Sequence, residues 1–151
     1  FKDCYIDGTT DFIFGPSTAL FENCMIHSKR NSYVTAASTP KEAKYGYIFK
    51  HCKLTAEPGV DKVYLGRPWR PYAYTLFIEC ELGKHIVPAG WHNWDKQSNE
   101  ETARYMEYKN TGEGANVSER VAWSKQLTKK EAEAVTVDAI FGTQSNWNPI
   151  D

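Results

Sequence analysis

Phe49-Lys50-His51-Cys52-Lys53-Leu54 is one copy of a frame that recurs along the chain: Phe1-x-x-Cys4-x-Ile6, Phe21-x-x-Cys24-x-Ile26 and Phe77-x-x-Cys80-x-Leu82 have the same form. The four cysteines stand 20, 28 and 28 positions apart, and Tyr105 and Tyr108 take the Phe and Cys places after a further step of 28. A fixed frame recurring at such a step marks a solenoid, one copy per turn. Side chains alternate along a strand, so each Cys and the aliphatic residue two places on share a face. The residue before each cysteine (Asp3, Asn23, His51, Glu79) is polar. A second short apolar stretch follows every frame: Asp11-Phe12-Ile13-Phe14, Ser32-Tyr33-Val34-Thr35, Val63-Tyr64-Leu65 and Ile86-Val87. Two or three strands per turn, with no long helical pattern between them, predict an all-β chain wound as a right-handed parallel β-helix. Its turns would stack ~4.8 Å apart, the ordinary inter-strand spacing.

In such a stack the cysteines form an interior ladder. They serve there either as small buried hydrophobes or as disulfide partners; the spacing of adjacent turns permits bonding, but directly stacked side chains point the same way. The chain has no Cys-x-x-Cys pair, which argues against zinc. The histidines (His27, His51, His85, His92) are scattered, predicting surface or turn positions and no metal site.

The 151 residues fit one domain, and a net charge of -1 with 14% aromatic residues excludes a disordered chain. No apolar run has the length of a membrane span and no basic surplus exists, so neither an integral membrane protein nor a nucleic-acid partner is expected. The coils are expected over about 1–110, with a loop and short-helix tail over about 111–151. The tail opens on the turn-rich Asn110-Thr111-Gly112-Glu113-Gly114-Ala115-Asn116, and Thr128-x-x-Glu131 reads as a capping box starting a helix through about Ala134. Val135-Thr136-Val137 and Ile140-Phe141-Gly142 would lay apolar side chains over a flank or end of the stack. The chain opens inside a repeat at Phe1, from which further N-terminal coils are expected to precede it.

Two stretches carry candidate chemistry. In Ile6-Asp7-Gly8-Thr9-Thr10-Asp11-Phe12-Ile13-Phe14-Gly15, Asp11 opens an otherwise apolar strand and must face solvent or be paired. In Leu65-Gly66-Arg67-Pro68-Trp69-Arg70-Pro71, Gly66 and Pro68 fix the backbone around Arg67, and Trp69 offers a rigid apolar plate. The two strands occupy equivalent places two turns apart, ~10 Å along the stack, a gap an arginine can largely close. Pairing would favour the ionised carboxylate and aim it, making it a competent nucleophile towards an ester carbonyl. The competing reading has Asp11 capping a turn and Arg67 in a structural ion pair.

At these residues the chain resembles the C-terminal portion of the pectin methylesterase (pectinesterase) family. Ile6-x-Gly8-Thr9-x-Asp11-Phe12-Ile13-Phe14-Gly15 resembles the family's nucleophile signature and Leu65-Gly66-Arg67-Pro68-Trp69 its arginine signature. Further likeness lies in Gly90-Trp91-His92-x-Trp94, Tyr108-x-Asn110-Thr111-Gly112-x-Gly114-Ala115 and Arg120-Val121-x-Trp123. The resemblance implies a parallel β-helix and a carboxylic ester hydrolase that removes methyl esters from polygalacturonate, releasing methanol. Asp11 would be the nucleophile and Arg67 its holder, with Trp69, Phe14 and Trp91 lining the sugar groove. No cofactor and no metal are implied. The partner would be methyl-esterified homogalacturonan, met by a monomeric, secreted protein in the cell wall or extracellular space, or in a bacterial periplasm.

The family also needs an acid/base aspartate behind an oxyanion-stabilising glutamine, in a Gln-Asp-Thr-Leu-like stretch before the nucleophile signature. Only ten residues precede Asp11, and neither Asp3 nor Asp7 follows a Gln, so activity is expected only within a longer parent. The alternative is a non-catalytic polysaccharide-binding β-solenoid. A pectate lyase or polygalacturonase, which would need calcium-binding or clustered acidic side chains near Asp11, ranks below both.

Overall fold

The structure, a computed structural model, describes residues 1–142. The first turn consists of β1 (Tyr5–Gly8), β2 (Ile13–Gly15) and β3 (Ala19–Glu22), and the second of β4 (Met25–Ser28), β5 (Tyr33–Ala37) and β6 (Tyr47–Lys50). The third turn has β7 (Lys53–Ala56), β8 (Tyr64–Gly66) and β9 (Tyr74–Ile78). Then follow β10 (Glu81–Leu82), helix α1 (Asn99–Thr102), β11 (Arg104–Tyr108) and β12 (Lys125–Gln126). Equivalent strands of successive turns pair in parallel into three sheets: β1-β4-β7-β10, β2-β5-β8 and β3-β6-β9-β11-β12. This is the expected parallel β-helix. Ile6 pairs with Ile26, Ile26 with Leu54 and Leu54 with Leu82, so the cysteine spacing and the register are the same ruler.

The repeating frame spans a corner rather than a single strand. Phe21, Phe49 and Phe77 close one strand and stack inside with centroids 4.5 Å apart, and Phe1 extends the column at 4.9 Å. The polar residue before each cysteine then takes a left-handed backbone: φ is 55° at Asp3, 52° at Asn23, 54° at His51 and 50° at Glu79. Asn, Asp and His tolerate that region far better than branched side chains, and they stand at three of these four places. The bend turns each cysteine inward. All four thiols are free; those of Cys52 and Cys80 lie 3.4 Å from the carbonyls of Phe21 and Phe49 on the preceding turn. The ladder is a column of three buried hydrophobes, Cys24, Cys52 and Cys80, with half-buried Cys4 at its end, bonded to the backbone rather than joined as disulfides.

On the outer corner His51 bridges three turns, with Nδ1 2.6 Å from Glu22 and Nε2 2.9 Å from Glu79. The hydrogen bond to Glu22, with Glu79 adding to it against the effect of burial, raises the histidine's pKa. A folded-state pKa above the unfolded ~6.5 gives stability that is complete below that value and fades as pH rises through the folded one. The unfolding midpoint of His51→Gln should therefore fall furthest below wild type in acid and converge with it in mild alkali. A gap independent of pH would rule the bridge out as its source.

The fifth copy of the frame is displaced. Phe77 pairs with Glu107 and Ile78 with Tyr108, a step of 30, whereas Tyr105 pairs with Thr75. Glu107 thus holds the Phe place, buried beside Arg120, and Asn110 the Cys place, its Oδ1 accepting from the Cys80 amide at 2.8 Å. Tyr105 instead stacks on Trp91 inside the coil, 4.2 Å between centroids. A two-residue slip keeps every side chain on its face, so the strand pattern alone did not reveal it.

The sheet continues beyond residue 110, because β12 adds to β11. Helix α2 (Lys129–Glu133) begins with the expected capping box, Thr128 Oγ1 accepting from the Glu131 amide and the Glu131 carboxylate from the Thr128 amide. Helix α3 (Val137–Phe141), which the sequence reading left unassigned, starts from a Thr136 cap. Val135, Val137, Ile140 and Phe141 pack on the outward face of β3, β6 and β9, against Leu20, Ile48 and Leu76. The tail covers a flank, and its residues 143–151 lie outside the described ones.

His85 stands in the turn after β10, as expected of the histidines, but is buried there, 3% exposed, because Gly83 leaves room for its ring: a Cβ there would sit 2.7 Å from Nδ1. Burial, then the charge of His27, pushes its pKa down to about 4.

Candidate active site

Asp11 sits just ahead of β2, its amide bonded to the Tyr33 carbonyl at 2.9 Å and its backbone left-handed at φ 51°. That bend turns the carboxylate away from the apolar interior that Ile13 enters. Two turns on, the amides of Arg67 and Trp69 bond the carbonyls of Thr35 and Ala37, each at 3.0 Å, so the peptide after β8 lies along β5. Gly66 permits this closeness, since a Cβ there would fall 2.2 Å from Thr35 Oγ1.

The Arg67 side chain reaches back across the middle turn to Asp11. Nε lies 3.0 Å from Oδ1 and Nη2 2.7 Å from Oδ2, a two-point pairing that fixes the plane of the carboxylate. Both side chains are 21% exposed, so the pair lies at the surface and remains reachable. Burial alone would lower the Arg67 pKa; hydrogen bonding to Asp11 and its charge, with Tyr33, outweigh that and leave it raised. The guanidinium is also held face-on between the rings of Tyr33 and Trp94, 3.9 Å from each centroid. An arginine stacked on both faces and bonded along one edge has little freedom left.

Phe14 and Trp69 stand beside the pair, 62% and 42% exposed, with centroids 6.0 Å apart at 65°. With Thr10, Asp11, Ala36 and Trp94 they line an open cavity of about 320 Å³. Exposed rings around an aimed carboxylate suit a sugar, whose apolar faces stack while its polar substituents stay wet. Asp11, Arg67, Phe14 and Trp69 therefore meet at one place.

Trp91 does not join them. It is 1% exposed and lies inside the coil, its Cζ3 only 3.2 Å from where a Gly66 Cβ would be. The missing side chain of Gly66 makes the space that this indole fills, so Trp91 presents no face to a ligand. Trp94, three residues on and itself in a left-handed backbone conformation, returns to the groove. Sequence reasoning passed over Trp94 and Tyr33. The structure separates the two tryptophans: Trp91 pairs with Gly66 as the next inward rung, at a step of 25 that the cysteine spacing does not mark, which leaves Trp94 as the outward ring.

The family description Pectinesterase matches residues 1–144. The chain belongs to the pectinesterase family. Pectinesterase 31 of Arabidopsis thaliana is 43% identical over 132 residues, covering 87% of this chain and 42% of that protein. Among solved structures, pectin methylesterase from carrot superposes with a TM-score of 0.87 at 34% identity, covering 94% of this chain and 50% of that one. A pectin methylesterase in complex with a hexasaccharide gives a TM-score of 0.80 at 31% identity, over 99% of this chain and 52% of that one. The chain thus spans about half the length, or less, of these pectinesterase relatives.

Proposed function

We propose that this chain supplies the nucleophile, its arginine and the sugar-binding rings of a pectin methylesterase, and that the full-length protein demethylates homogalacturonan outside the cell or in the cell wall. The observation that carries this reading is the two-point Asp11–Arg67 pairing, at 3.0 and 2.7 Å, on the edge of an aromatic-lined groove. The relative with a bound hexasaccharide is consistent with a sugar polymer as ligand.

In this mechanism Asp11 adds to the methyl-ester carbonyl of a galacturonate unit. The tetrahedral adduct collapses with loss of methanol, whose oxygen takes a proton from a general acid, and leaves a mixed anhydride on Asp11. Water, deprotonated by the same acid/base group, then attacks the anhydride and releases the free uronate and the Asp11 carboxylate. Trp69 and Phe14 hold neighbouring sugar faces, and Trp94 closes the groove. The acid/base aspartate and the oxyanion donor belong to the part of the family fold that this chain does not span, so the 151 residues alone should turn over little. The working protein would be a monomer and use no metal or cofactor.

A second reading has one observation in its favour: among the described residues lining the groove, Asp11 is the single carboxylate. A groove with one carboxylate can bind a polysaccharide without hydrolysing it. The deciding experiment is methanol release from methyl-esterified polygalacturonate by the full-length protein. The esterase reading expects one free carboxylate per methanol; saturable binding of the polymer with no methanol would leave only the binding reading. Trp69→Ala should raise KM about tenfold with a smaller change in kcat, the loss of roughly one ring face of contact. An unchanged KM would remove Trp69 from the groove's binding role.

A further inference from the structure

We infer that His92 is a positioning residue, whose Nδ1 fixes the backbone of Trp94 and thereby holds the Trp94 ring against Arg67. Trp94 and Asp95 are consecutive left-handed residues, at φ 60° and 52°. For a bulky tryptophan this is a disfavoured conformation, and it persists only where the surroundings impose it. His92 imposes it. Its Nδ1 accepts from the Trp94 amide at 3.0 Å, the bond to residue i+2 that asparagine and aspartate side chains make in turns.

The imidazole is itself anchored on the elements that meet Arg67. Its backbone amide bonds the Gly66 carbonyl at 3.1 Å. Its ring stands edge-on to Tyr33 and Tyr64, at 5.4 and 5.2 Å, and those two tyrosines stack on each other at 5.2 Å. Tyr33 is one jaw on the Arg67 guanidinium and Trp94 the other, each 3.9 Å away. Both jaws are thus keyed to one imidazole: Tyr33 through ring packing, Trp94 through Nδ1. Farther along the turn, Asn93 Oδ1 accepts from the Asp95 amide at 2.8 Å, and buried Asn99 donates to the Asn93 carbonyl at 3.0 Å. These bonds brace the turn but none reaches the Trp94 amide. An accepting Nδ1 requires the ring proton on Nε2, which lies 3.8 Å from the exposed Asp95 carboxylate.

The consequence for catalysis rests on the proposed role of Asp11 and Arg67, but the positioning is read spectroscopically and independently of turnover. In the isotopically labelled protein, ring currents from Tyr33 and Trp94 should shift the Arg67 Cδ protons upfield. His92→Asn retains an acceptor for the i+2 amide and should keep that shift. His92→Phe retains a ring against the two tyrosines but no acceptor, and should lose most of it. Loss in both variants, or retention in both, overturns the inference, as does loss confined to His92→Asn. Nitrogen chemical shifts of wild-type His92 give a measurement that needs no variant to fold: a neutral ring protonated on Nε2 is expected, and a proton on Nδ1 contradicts the proposal. In full-length enzyme His92→Phe should lower kcat about tenfold, the order expected when one hydrogen bond that holds the site is lost. If Asp11 proves not to be the nucleophile, that last effect disappears while the spectra still decide the role of His92.

Discussion

Replacing Asp11 with asparagine should reduce methanol release by the full-length enzyme at least about 10³-fold, because the amide is not a nucleophile and Asp11 is the single carboxylate among the described residues lining the groove. Asparagine is a better test than alanine. Asp11 adopts φ 51°, a region asparagine tolerates, and the amide oxygen still accepts from Arg67, so fold and groove should survive. Binding of a methylated oligogalacturonate should stay within a few-fold of wild type, since Trp69 and Phe14 are untouched. A variant retaining a tenth or more of wild-type turnover would show that the carboxylate orients substrate rather than attacks it.

The second large effect concerns stability. Glu107 and Arg120 are 1% and 3% exposed, and the guanidinium is almost fully engaged: 2.9 and 3.1 Å to the carboxylate, 2.7 Å to the Gly114 carbonyl, and 3.1 Å to that of Pro88. Gln126 adds a longer bond to Glu107 from β12. Arg120→Met removes the partner of a buried carboxylate and should lower unfolding free energy by about 3–5 kcal/mol, measured by urea denaturation. Leucine at 107 together with methionine at 120 should recover part of that loss, since the stranded charge is gone. The remainder is the carbonyls of Gly114, Pro88 and Val87, left without their donor. A loss under about 1 kcal/mol for Arg120→Met would mean that water reaches Glu107 and that the pair is not closed.

The same pair shows where sequence reading stops. The first three turns were legible because Phe, Cys and an aliphatic residue recur at a corner where backbone geometry and burial both select them. The fifth corner meets the same geometric demand, Lys109 at φ 46° after Glu107 in the Phe place, but fills the interior with an ion pair instead of a ring. A buried glutamate whose partner stands 13 residues later has no periodicity to announce it. In the groove, Asp11, Arg67 and Trp69 were legible from two short motifs, because each lies on or beside a strand whose register the cysteines had already set, whereas Phe14 was implied only by the resemblance to the pectinesterase signature. Trp91 and Trp94 were not separable without the void above Gly66, which depends on a neighbouring turn. Tyr33 was hidden for a similar reason: its strand place was visible, but its contact with Arg67 runs between turns.

Rapid acid quench of the full-length enzyme during turnover of a methyl-esterified oligogalacturonate, followed by mass spectrometry of its peptides, tests the Asp11 assignment most directly. The peptide bearing Asp11 should carry the mass of an acyl-linked oligouronate, accumulating as methanol is released and absent from Asp11→Asn. Methanol release with an unmodified Asp11 peptide, or with the adduct on another residue, would contradict it.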